Sequence, residues 1–83
     1  MSDVGVVKRS VAIAGHATSV SLEGPFWEAL RAIAVEEGLS VQALIGRIDA
    51  ERAGQNLSSA IRVYVLRSVQ RRADIAGEPL REA

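Results

Sequence analysis

The chain has 83 residues, which sets an upper limit of one domain, and a core that small is usually reinforced by disulfides, metal or association with a second chain. It has no cysteine and a single histidine, His16, so disulfides, thiolate metal sites and His-rich metal sites are excluded. Net charge is zero, which argues against indiscriminate polyanion binding.

The charges are nevertheless segregated. Residues 1–21 carry Lys8 and Arg9 against Asp3, residues 22–51 are acidic, and residues 52–83 carry six arginines against three acids. A local basic surface is compatible with this balance. The composition is 48% hydrophobic with three aromatic residues, Phe26, Trp27 and Tyr64, which points to a compact aliphatic core. No apolar run approaches the roughly 20 residues of a membrane span. The start, MSDVGVVKRS, lacks the basic-then-apolar pattern of a signal peptide. The expected location is therefore the cytoplasm, with no membrane partner.

Residues 1–6 read as a flexible lead. From Val7, alternation places Val7, Val11 and Ile13 on one phase, with Arg9 intruding on it. After Gly15 the phase shifts: Thr18, Val20 and Leu22 share one side, and Ala17, Ser19 and Ser21 the other. A one-residue phase change at a glycine marks either a bulge in one long strand or a tight hairpin.

Gly24-Pro25 ends the strand, and proline is tolerated in the first turn of a helix because its missing N–H would be unpaired there. Phe26, Leu30, Ile33, Ala34 and Glu37 follow helical spacing, with Trp27 at the edge of the stripe and Gly38 as the stop. Ser40 caps a second helix whose apolar face is Val41, Leu44, Ile45 and Ile48 and which runs to about Arg52. A third helix begins near Leu57, capped by Asn56 or Ser58. Its sequence LSSAIRVYVL is apolar nearly all round and calls for cover on more than one side. The domain is expected over 7–72, and the tail 73–83, ADIAGEPLREA, is expected to be disordered.

A lone amphipathic strand leaves its backbone groups unpaired, and the simplest partner is the same strand of a second copy across a two-fold axis. The stretch TSVSLEGPFWEALRAIAVEEGLSVQALIGRI, residues 18–48, resembles the ribbon-helix-helix fold of the Arc and Met-repressor superfamily. The wider string, from KRSVAIAGHATSVSLE through NLSSAIRVYVLR, resembles a small bacterial subfamily with an extra C-terminal helix. The resemblance implies a mainly α homodimer with an intersubunit antiparallel ribbon, its core built from Val20, Leu22, Phe26, Trp27, Leu30, Ile33, Leu44, Ile45 and Ile48. It also implies a transcriptional regulator that places the ribbon in the DNA major groove.

On that reading Ala17, Ser19 and Ser21 face bases. Ser40 and Val41 anchor phosphate at the start of the second helix, and Lys8 and Arg9 add phosphate contacts. Alanine and serine make none of the bidentate contacts of about 1–3 kcal/mol that Arg, Lys, Asn or Gln supply. The alternative is a protein-interaction module on the same fold, assembling as a tetramer or larger, or with a protein partner, through the third helix. Catalysis finds no support: there is no G-x-S-x-G and no Gly-rich phosphate loop.

Overall fold

The computed structural model describes residues 5–75. Strand β1 (Val6–Ile13) and strand β2 (His16–Glu23) are followed by helices α1 (Gly24–Glu37), α2 (Val41–Glu51) and α3 (Leu57–Ile75). The expected order, ribbon then helices with an additional third helix, is present.

The phase change at Gly15 is a hairpin. β1 and β2 pair antiparallel, in a register that sets Ile13 opposite His16 and Val6 opposite Glu23. Two residues form the turn, and both Ala14 (φ 51°) and Gly15 (φ 87°) have positive φ, the signature of the type I′ turn whose twist matches that of its strands. β2 therefore finds its strand partner inside the chain. β1 pairs the backbone groups along one edge of β2. Val6, placed in the lead by the sequence reading, already belongs to β1.

The helix boundaries follow the punctuation. Proline stands in the first turn of α1, and Gly38 (φ 73°) closes it with its N–H on the Ala34 and Val35 carbonyls. The Ser40 hydroxyl accepts from the Ala43 N–H at 3.0 Å, the side-chain cap expected at that position. At α3 the cap is Asn56, whose Oδ1 accepts from the Ser59 N–H. The helix continues through Ala73 and Asp74 to Ile75. The remainder of the predicted tail lies outside the described residues, as do residues 1–4.

The core comprises Val20 and Leu22 from the ribbon, Trp27, Leu30, Ile33 and Ala34 from α1, Leu44, Ile45 and Ile48 from α2, and Leu57, Ala60, Ile61 and Val65 from α3. Trp27 is fully part of it, whereas Phe26 is only partly buried and packs against it, the reverse of the weight given to them by the helical spacing. Every other residue expected in the dimer core is buried within the single chain. The third helix supplies the cover: Ile61 and Val65 close over the ribbon and first two helices. No helix among the described residues is long and apolar enough to cross a membrane.

Candidate nucleic-acid interface

The ribbon has two faces, fixed by its register. Cross-strand partners point to the same side, so buried Val20 and Leu22 share their side with Arg9 and Val7. The opposite side carries three pairs: Lys8 with Ser21, Ser10 with Ser19, and Ala12 with Ala17. All are exposed except Ser21, which is half-buried. Ala17, Ser19 and Ser21 thus lie on one face, the one turned away from the core. The sequence reading of that face omitted its other half, Ser10 and Ala12 of β1. The alternation of β1 signalled them; the unresolved choice between hairpin and bulge hid them.

Lys8 and Arg9 part company. Lys8 stands on the outer face, while Arg9 is on the core side, its guanidinium 5.3 Å from the Trp27 ring centroid. That is within cation–π range, worth roughly 0.5–1 kcal/mol at an exposed site. The same indole donates from Nε1 to the Val7 carbonyl at 3.0 Å, tying α1 to β1.

Side chains also hold both edges of the ribbon. On the β1 edge, the Ala12 N–H donates to Gln42 Oε1 of α2 at 3.1 Å. On the β2 edge, the Ser21 N–H donates to the Ser58 hydroxyl of α3 at 3.1 Å. Arg62 donates to the Ser21 carbonyl and, from Nε at 3.0 Å, to Glu23. The Arg62 hydrogen bond, followed by one from the Glu23 backbone, holds the Glu23 carboxyl below its usual range; desolvation opposes this and the guanidinium charge adds to it. Ser58, a candidate cap in the sequence, serves the ribbon instead.

The Gln42 contact places the N-terminus of α2 beside the turn end of the ribbon. Ser40 and Val41 open that helix, Ser40 exposed and Val41 half-buried, and the Ser40 hydroxyl is engaged in its own cap. Such an end presents its first free N–H groups and the positive end of the helix dipole.

Among the described residues, several arginines are neutralised locally: Arg47 with Glu37, Arg52 with Asp49, Arg62 with Glu23 and Arg72 with Glu36. Beside the hairpin tip a polar cleft of about 410 Å³ is lined by His16, Thr18, Asp49, Arg52, Asn56 and Ser58, among others. No cluster of metal-ligating side chains occurs among the described residues.

Comparison with known proteins agrees with this architecture. A solved structure, that of an uncharacterized protein from Bordetella pertussis Tohama I, is similar at 36% identity and a TM-score of 0.73. The similarity covers 86% of this chain and 61% of that one, so the present chain spans under two thirds of its length. No curated protein matches. The family model for the ribbon-helix-helix domain matches residues 6–69, which takes in the hairpin, α1, α2 and most of α3, and the chain belongs to that family.

Proposed function

We propose that the protein is a small DNA-binding regulator that lays the outer face of its ribbon in the major groove, with the start of α2 on a flanking phosphate. Ribbon-helix-helix domains generally bind DNA as dimers in transcription regulation and are typically non-enzymatic. The observation that carries the reading is the outward polar face of Lys8, Ser10, Ser19 and half-buried Ser21, whose turn end lies beside the N-terminus of α2. A two-stranded ribbon fits the major groove. Lys8 and the α2 N-terminus would supply phosphate contact, and Arg9 at the ribbon margin would add to it.

Electrostatic support on this reading is modest, because so many arginines are paired with carboxylates. Two released counterions give a log-affinity against log-salt slope of about −2. Fluorescence anisotropy with duplex DNA over a salt series tests this. Binding with a slope of that size is expected, with Lys8→Ala reducing its magnitude by about one. Absence of binding at low salt sinks the proposal.

A second reading, self-association through α3, is favoured by one observation. Val63, Leu66 and Val69 are 40%, 52% and 46% exposed, the first two on the side of α3 away from Ile61 and Val65 and Val69 on its flank. The two readings are compatible, since the ribbon and this stripe occupy different surfaces.

A further inference from the structure

We infer that Gln42 is a positioning residue for the ribbon: its side chain holds the turn end of β1 beside the start of α2, so that the outward pairs and the helix meet the duplex as one rigid unit. The inference rests on the DNA-binding reading and names the bond that keeps the two contact regions of that reading aligned.

β1 is tied to a helix at each end. At the open end, the Trp27 indole of α1 donates to the Val7 carbonyl at 3.0 Å. At the turn end, the Ala12 N–H donates to Gln42 Oε1 of α2 at 3.1 Å. Neither tie uses the outer edge of β2, so both are compatible with a strand of a second copy along that edge. Val11 and Val41, the chain neighbours of the two residues bonded at the turn end, are partly buried against the core, which already brings the strand and the helix start together.

Residues of an antiparallel pair alternate between exchanging hydrogen bonds with their partner and turning them outward. Ala12 is of the second kind, since its N–H leaves the ribbon for α2. Gln42 is the second residue of α2. The Ser40 hydroxyl takes the Ala43 N–H, and the N–H groups of Val41 and Gln42 are among those that an α-helix leaves without an internal acceptor. One residue thus joins the two surfaces: its side chain faces the ribbon, and its backbone belongs to the helix start that the DNA-binding reading sets on phosphate.

A ribbon seated in a major groove about 12 Å wide has the sugar–phosphate walls beside its edges, and the start of α2 stands at the β1 edge. Phosphate contacts fix orientation on the duplex and carry no sequence information themselves. A ribbon whose turn end swung free of α2 would lose its alignment with that wall. Lys8 belongs to the same strand, about 13 Å along it from Ala12, so it senses Gln42 only through the placement of β1.

A double-mutant cycle on the full chain tests this, with a mixed-sequence duplex at low salt as the probe and fluorescence anisotropy as the readout. Gln42→Met removes the acceptor at nearly unchanged length, and Gln42→Ala, a good helix former, is a second acceptor-free variant. Each should leave the helical signal unchanged, speed hydrogen exchange of the Ala12 amide about tenfold and weaken duplex binding about tenfold. Lys8→Ala should cost about fivefold in the wild type and under about twofold beside either Gln42 variant, whereas sites this far apart otherwise contribute independently.

Unchanged protection of the Ala12 amide, binding within about twofold of wild type once that amide is exposed, or losses at Lys8 and Gln42 that simply multiply would each overturn the inference while leaving DNA binding intact. No duplex binding by the wild type at low salt overturns the DNA reading and this inference together.

Discussion

Ser68 is a hydroxyl in the wrong solvent. It is 3% exposed, on the core side of α3, and among the described residues its Oγ has no hydrogen-bond partner. A buried polar group left unsatisfied costs about 1–3 kcal/mol, more than the small packing loss from removing one oxygen. Ser68→Ala should therefore raise the free energy of unfolding by about 1 kcal/mol, read as a higher urea midpoint at an unchanged m-value. Ala14 illustrates why single residues are hard to read in advance. The first position of a type I′ turn favours asparagine, aspartate or glycine, and alanine there hid the hairpin signal. Gly15 alone is equally consistent with a bulge. Trp27 is a comparable case: Phe26 and Trp27 both begin a credible helical stripe, and only the docking of the indole on the Val7 carbonyl decides between them.

At the level of elements, the helices were legible because their ends carry local chemistry: a proline start, a left-handed glycine stop, and the caps Ser40 and Asn56. The ties between elements were not. Arg62 and Glu23 lie 39 residues apart, and nothing in composition or spacing links them. Their pairing gives the α3–β2 junction a pH dependence. The Glu23 carboxyl is held below its ordinary range, chiefly by Arg62. Its contribution is thus present above the unfolded carboxylate pKa and is lost as pH falls through the depressed folded value. Wild-type stability should decline as the pH falls through and below the ordinary carboxylate range. Glu23→Gln should flatten that decline, as followed by circular dichroism in urea at each pH. An equally steep fall in the variant would assign the acid sensitivity to other carboxylates.

At the scale of the whole molecule, residues that the sequence reading assigned to a dimer core are buried by elements of one chain. Val20, Leu22, Leu30, Leu44 and Ile45 are fully buried by the chain's own elements, with Leu57, Ala60, Ile61 and Val65 of α3 completing the cluster. Val63, Leu66 and Val69 form an uncovered apolar stripe on α3. A charge at its centre provides the discriminating measurement. If the stripe mediates association, Leu66→Glu should convert an associating protein to monomer in sedimentation velocity while leaving the helical signal unchanged. An identical mass for both proteins would remove α3 from any assembly. The outer face of the ribbon was half legible: β2 declared Ala17, Ser19 and Ser21, while Ser10 and Ala12 became visible only once the register was known.

The capped edges of the ribbon have a consequence for solubility. VVKRSVAI and HATSVSLE are two strands with β-branched residues in each, the kind of segment that recruits further strands when its edge is bare. Lys8 and Arg9 interrupt one of them with charge, Gln42 takes the Ala12 N–H on its edge, and Ser58 and Arg62 take the Ser21 N–H and carbonyl on the edge of its neighbour. These polar contacts contribute little apolar burial, yet they stand between a folded hairpin and a growing sheet. Their removal would register as fibril formation sooner than as lost helix.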